Sequence, residues 1–184
     1  MEKINPIPFW RDLHTIIFDF DGIFTNNYVY LDQNGKESVR CDRGDGLGFD
    51  ILRKFILKNL WDVEYFILSK EKNPVVLQRA EKLKLKAYKS IINKEEYIKN
   101  YLNQRFGNFE ESKNGVLFLG NDLNDLASIK FCGHSIAPSD AHELIKKNAS
   151  LVLSQRGGHG FVRAAIEKII NLENMSLEEI YNLI

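Results

Sequence analysis

His14-Thr15-Ile16-Ile17-Phe18-Asp19-Phe20-Asp21-Gly22-Ile23-Phe24-Thr25 is the stretch on which the reading of this 184-residue chain turns. Thr15 to Phe18 has the length and apolar character of a buried strand. It runs straight into two carboxylates and a glycine. Each carboxylate is costly to desolvate unless it is paired or bound to a metal. An Asp-Gly turn closing a hairpin is the plain alternative, and the rest of the chain argues against it.

Outward from this strand, Tyr28–Leu31 and Ser38–Cys41 flank Asn34-Gly35, a strong hairpin signal. A Gly-rich turn containing Asp45 leads into a helix expected over Gly48–Lys58, where Asp45 either orients the site or caps the helix. Apolar strands are expected at Val63–Leu68, Lys86–Tyr88, Gly115–Leu119, His134–Ala137 and Leu151–Leu153. Helices are expected from Pro74 to Leu83, Lys94–Phe106, just after Asp125, Phe161–Asn171 and Leu177–Leu183. The last opens on a Ser176/Glu179 capping box. Residues 1–13 read as an irregular lead-in, with Pro6 and Pro8 opposing regular pairing.

Apolar strands alternating with helices predict an α/β fold, a parallel sheet with helices on both faces. Such sheets bind ligands beyond the carboxyl ends of their strands. Asp19, Asp21, Ser69 and the Asn121–Asp125 segment all fall just past strands, and Lys94 opens a helix. At least three carboxylates at one edge suit a hard, oxygen-seeking cation such as Mg²⁺. A lysine and a serine beside them suit a phosphate. Asp19 would serve as nucleophile and Asp21 as proton carrier.

Composition narrows the alternatives. The 25 basic and 25 acidic residues balance, so no global field draws nucleic acid or membrane. No apolar run reaches bilayer length, and the first residues lack a signal-peptide core. Cys41 and Cys132 are read as small buried hydrophobes, in keeping with a cytoplasmic setting. One domain, 1–184, is expected, with a hairpin insertion at about 26–43 and a glycine-rich tail loop at 156–160.

Asp19-Phe20-Asp21-Gly22, Ser69, Lys94 and Gly120–Asp125 together resemble the four motifs of the haloacid dehalogenase-like (HAD) phosphatases. The resemblance implies a Rossmann-like HAD fold and a hydrolase of phosphoric monoesters. It makes Asp19, Asp21, Ser69 and Lys94 catalytic. It places Mg²⁺ on Asp19, Asp21 (through its carbonyl) and a fourth-motif acid. Many relatives have Gly-Asp where this chain has Gly120-Asn121, so Asp122 is the first choice of ligand, with Asp125 acting through water or orienting Lys94.

A closer resemblance is to the cap-less phosphatases of 3-deoxy acid sugars. These include the 3-deoxy-octulosonate 8-phosphate (Kdo 8-phosphate) phosphatases and the phosphatase-like domains of acylneuraminate cytidylyltransferases, which belong to sialic acid or Kdo biosynthesis and so to lipopolysaccharide or capsule. Arg40–Gly46, Ser69–Val76, Asp140-Ala141-His142 and Arg156–Gly160 carry it. Ser69-Lys70-Glu71, in place of Thr-Gly-Arg, favours a nonulosonate 9-phosphate. The resemblance further implies a homotetramer, with a hairpin in place of a cap, and a sugar cytidylyltransferase as a partner. A non-catalytic assembly module is the alternative of another class.

Gly22, Glu71, Arg79, Lys82, Arg156 and His159 are the expected substrate-binding residues. At ~100° per residue, Glu71, Arg79 and Lys82 would share one helix face; an ordinary solvated face is the competing reading. Arg156 could instead make a surface ion pair, and His159 could be a solvated loop residue.

Overall fold

A computed structural model describes residues 7–184. The lead-in expected for residues 1–13 lies outside the described residues up to position 6; within it, Trp10–Asp12 forms a short 3₁₀ turn. The strands are β1 (Thr15–Phe18), β2 (Thr25–Leu31), β3 (Glu37–Cys41), β4 (Glu64–Leu68), β5 (Lys86–Tyr88), β6 (Val116–Leu119), β7 (His134–Ala137) and β8 (Leu151–Val152). The helices are α1 (Gly44–Asn59), α2 (Val75–Leu83), α3 (Lys94–Phe106), α4 (Phe109–Ser112), α5 (Leu126–Phe131), α6 (Glu143–Asn148), α7 (Phe161–Ile169) and α8 (Leu177–Tyr181).

Six strands form one parallel sheet in the order β5-β4-β1-β6-β7-β8. The strand that carries Asp19 is therefore central, with β4 on one side and β6 on the other. Side chains alternate across it. Ile16 and Phe18 enter one core with Ile67, Leu117 and Leu119; Ile17 enters the opposite core with Phe66, Leu68 and Phe118. Both cores are closed by helices, which is why Ile16–Phe18, Phe66–Leu68 and Val116–Leu119 are apolar at consecutive positions. Truncating a buried aromatic such as Phe18 to alanine costs about 3–5 kcal/mol.

β2 and β3 pair only with each other, as an antiparallel hairpin. Its start is irregular: the register shifts between Thr25 and Val29, and Asn27 takes a left-handed φ of 64°. Asparagine tolerates that region better than most residues. α1 begins four residues earlier than expected. The Asp42 carboxylate accepts the Gly44 N–H at 2.7 Å, and Asp45 sits in the first turn, buried. The segment after Asp140 contains a helix, α6, that the sequence pattern did not reveal.

Candidate active site

Three site loops are fixed by carrying the parallel hydrogen bonding one residue beyond the strands. Asp19 N–H donates to Leu119 O at 2.9 Å, Ser69 N–H to Tyr88 O at 2.9 Å and Gly120 N–H to Ile136 O at 3.3 Å. Asp19, Ser69 and Asn121 thus leave the sheet at one level. Asp19, Asp21, Asn27, Ser69, Lys70, Glu71, Asn121, Asp122 and Asn124 line one cavity of about 180 Å³ there. A larger groove of about 490 Å³ lies between α7 and the C-terminal segment, lined by Leu153, Ala164, Leu172 and Ile180 among others. It has no comparable convergence of carboxylates, so chemistry rather than volume marks the site.

Lys94, at the start of α3, reaches under this cavity. Its Nζ lies 2.6 Å from Asp19 Oδ1 and 2.7 Å from Asp125 Oδ1, and all three side chains are buried. Burial opposes the ammonium, but the Asp19 and Asp125 carboxylates outweigh it and raise the Lys94 pKa. Burial and then Asp125 push Asp19 upward, while Lys94 opposes them. Asp125 spends its other oxygen on the backbone N–H groups of Asn121 at 3.0 Å and Asp122 at 3.4 Å. It holds the lysine, one of the roles expected for it, and also the loop, which the sequence did not suggest.

Asp21 is less enclosed. Burial, then the nearby Glu71 carboxylate, raise its pKa to about 6, which suits a group that must give and take a proton near neutrality. Ser69 is buried, and its Oγ accepts the Glu71 N–H at 3.0 Å; its hydroxyl hydrogen remains for a phosphate oxygen. Gly22 has φ +72°, and a Cβ there would sit 1.9 Å from Asn121 Nδ2. Glycine is required for fit, so Gly22 shapes the loop and does not line the cavity.

The remaining expected substrate residues separate. Glu71 lies at the cavity, but in the loop before α2, with Oε1 accepting the Lys72 and Asn73 N–H groups. The shared helix face proposed for Glu71, Arg79 and Lys82 does not exist, because α2 starts at Val75. Arg79 points inward: Nη2 donates to Asp42 O at 2.6 Å and lies 3.8 Å from Asp45 Oδ2. It flanks the buried stripe of Val76, Ala80 and Leu83, which draws it away from the site. Lys82 is exposed and does not line the cavity.

Arg156 pairs with Asp140 at 3.2 Å, the plainer of its two readings. His159 is bonded at both ring nitrogens, with Nδ1 2.8 Å from Gly157 O and Nε2 2.9 Å from Arg40 Nη1. A carbonyl only accepts and a guanidinium only donates. Nδ1 therefore carries the proton, and neither nitrogen is left for substrate. Of the cavity-lining residues, sequence reasoning missed Asn27 and gave Lys70 and Asn124 no individual role. The Asn26-Asn27 pair, of a residue type that tolerates a left-handed φ, was the available signal for Asn27; Lys70 and Asn124 were named only as members of the Ser69–Glu71 and Asn121–Asp125 segments.

Among the described residues, no three His, Cys, Asp or Glu side chains gather closely enough to cage a metal by themselves. The cavity nevertheless offers hard oxygen donors: Asp19, Asp122 and the buried, unpartnered Oδ1 of Asn121. Mg²⁺ commonly takes one or two carboxylates and completes its shell with water and phosphate, so the donor set fits.

The family profile described as haloacid dehalogenase-like hydrolase matches residues 55–164, more than half of the chain. The chain belongs to this family. Its curated relatives in the haloacid dehalogenase-like hydrolases include the 3-deoxy-D-manno-octulosonate 8-phosphate phosphatase of Haemophilus influenzae, 27% identical over 90% of this chain and 87% of the relative. The enzyme of the same name from Escherichia coli K12 is 26% identical over 87% and 80%. A crystal structure assigned to the HAD hydrolases of Streptomyces avermitilis superposes with TM-score 0.80 at 34% identity over 94% of each chain. The octulosonate phosphatase of Moraxella catarrhalis, crystallised with magnesium, phosphate and Kdo, shares the fold at TM-score 0.75 and 21% identity, over 88% of each chain. No helix among the described residues is long and apolar enough to cross a membrane.

Proposed function

We propose that this chain is a Mg²⁺-dependent phosphatase of a 3-deoxy-2-keto acid sugar phosphate, of the nonulosonate 9-phosphate type. The observation that carries the phosphatase reading is the buried Asp19–Lys94–Asp125 triad opening onto a cavity with Asp21 and Ser69. Asp19 attacks phosphorus in line, and the bond to the sugar oxygen breaks. Asp21 donates its proton to that oxygen, releasing the alcohol. Asp21, now ionised, takes a proton from a water that attacks the aspartyl-phosphate, which releases phosphate and restores Asp19. Lys94 holds Asp19 in place and, with Ser69, faces the charge that develops on the phosphoryl oxygens.

Asp19, the main-chain carbonyl of Asp21 and a side chain from the 121–122 segment would hold the cation. The cation would supply charge neutralisation for the phosphoryl group. All the catalytic parts are present together, which weighs against the non-catalytic assembly module. The exposed residues Tyr28, Val29, Tyr30 and Leu31 of the hairpin support a homotetramer in which the hairpin takes the place of a cap.

Ser69-Lys70-Glu71 supports the nine-carbon substrate. Kdo 8-phosphate is the second reading, favoured by the names of the relatives. Phosphate release from Kdo 8-phosphate, sialic acid 9-phosphate and simple sugar phosphates, with and without Mg²⁺, tests the proposal. The expected result is Mg²⁺-dependent turnover of the acid sugars, fastest with the nine-carbon one. Equal turnover of every phosphate would remove the acid-sugar assignment, and turnover unaffected by chelation would remove the metal.

A further inference from the structure

Three side chains after β6 compete to complete the cation site, and their surroundings differ. Asp125 has both oxygens committed, one to Lys94 and one to backbone N–H groups. Asp122 is exposed, and its Oδ1 accepts the Leu123 N–H at 2.7 Å as the cap of the 3₁₀ turn Leu123–Asp125. Asn121 is only 8% exposed and lines the cavity with Asp19 and Asp21. Its Oδ1 is buried and has no hydrogen-bond partner. Buried acceptors are almost always satisfied, so an orphan at the wall of a polar cavity marks a place for a ligand. The close seat of the Asn121 amide on Gly22 fixes it beside the Asp19–Asp21 loop.

Resting on the metal-dependent reading above, we propose that the amide oxygen of Asn121 is the last protein ligand of the cation. We infer further that its neutrality makes cation and phosphate bind with strong positive coupling. An amide oxygen is a hard donor suited to Mg²⁺, but it brings no charge. The carboxylate of Asp19 is already shared with Lys94, and the Asp21 carbonyl is neutral. The protein thus offers the cation less negative charge than a site with a second ligating carboxylate, and affinity for such cations rises with ligand charge. The phosphate dianion supplies what is missing. By linkage, each ligand then raises the affinity for the other by the same factor.

Calorimetric titration of the full chain with MgCl₂, alone and with inorganic phosphate, tests this, with Asn121→Asp, Asn121→Ala and Asp122→Asn as variants and thermal unfolding to verify that each is folded. Phosphate should tighten Mg²⁺ binding to the native chain by about tenfold or more. Asn121→Asp should bind Mg²⁺ about tenfold more tightly without phosphate and gain less from it. Asn121→Ala should lose about tenfold, while Asp122→Asn stays close to native. Loss of binding in Asp122→Asn with Asn121→Asp and Asn121→Ala unchanged would overturn the assignment. Phosphate-independent Mg²⁺ binding would overturn the coupling. Failure of the native chain to bind Mg²⁺ under either condition would overturn the metal-dependent reading itself, and this inference with it.

Discussion

Lys94 Nζ lies 2.6 Å from Asp19 Oδ1, with both side chains sealed from solvent. The proposed nucleophile is thus held by an ion pair that water cannot screen. On its other side the same ammonium meets Asp125. Lys94→Met would leave two buried carboxylates facing one another without a cation. The expected result is a loss of about 3–5 kcal/mol in stability and of about 10²- to 10³-fold in turnover. Urea unfolding and phosphate-release assays measure the two separately. A Lys94→Met protein as stable as the native one would show that the triad is not the buried charge centre described here.

The tail loop meets the catalytic loop backbone to backbone. A Cβ on Gly157 would lie 1.9 Å from Gly22 O, and one on Gly158 2.4 Å from Asn26 N. Gly157→Ala should therefore force the two loops apart, with a cost of about 1–3 kcal/mol and a fall in turnover. Gly35→Ala is the control. It too has a positive φ, 75°, but nothing lies within 4 Å of a Cβ there. It should cost about 1–2 kcal/mol from backbone strain alone and leave turnover unchanged. Thermal unfolding and assays of the two variants side by side distinguish collision from strain.

The convergence of Asp19, Asp21, Ser69 and Lys94 was legible because it rests on local pattern. β1 ends in Asp-x-Asp, Ser69 and Asn121 follow apolar strands, and Lys94 opens an amphipathic helix; the parallel sheet then brings strand ends together. Arg79 and His159 were misplaced for a different reason. Arg79 is bound by Asp42 and Asp45, 37 and 34 positions earlier, and His159 by Arg40, 119 positions earlier. No periodicity encodes such partners. Glu71 does line the cavity, but its shared face with Arg79 and Lys82 failed on a boundary, since α2 starts only after Pro74. The tail loop also packs on its own chain, with Gly158 N–H donating to Ile23 O at 3.1 Å, a contact set by glycine fit.

In the proposed mechanism Asp21 must be protonated when the leaving oxygen departs, so kcat/KM should fall as pH rises through its pKa of about 6. Burial is the main cause of that value and Glu71 the next. Glu71→Gln removes a like charge, lowers the Asp21 pKa and should move the alkaline limb to lower pH. Asp21→Asn, which carries no proton to give, should lose about 10²- to 10⁴-fold at every pH. A pH–rate profile whose alkaline limb is unmoved in Glu71→Gln would sever the link between these two carboxylates.

Tyr28, Val29, Tyr30 and Leu31 are each at least 58% exposed, on a two-stranded ribbon that joins no larger sheet. A lone ribbon of two strands is marginal in water, so this surface calls for cover. With a homotetramer as the proposed assembly, the native chain should sediment at about four times its 21.3 kDa mass. Tyr30→Asp should reduce that mass and lower activity while leaving the fold of each subunit intact. A native chain that sediments as 21.3 kDa at working concentration would refute the assembly.

Asp45 predicts how stability responds to pH. It is 1% exposed, neither carboxylate oxygen has a hydrogen-bond partner, and Arg79 stands no closer than 3.8 Å. Burial raises its pKa from 3.8 to about 7, against the pull of Arg79. The folded chain therefore binds more protons than the unfolded one between those values. This contribution favours folding below about pH 4 and is lost progressively as pH rises to about 7, by roughly 4 kcal/mol in all. Asp45→Asn removes the titration. Its unfolding free energy, measured in urea from pH 4 to pH 8, should decline less steeply than that of the native chain, with the two curves close together at the acid end and Asp45→Asn the more stable at the alkaline end. Parallel curves would mean that Asp45 is ionised in the fold, with a partner closer than Arg79 now stands.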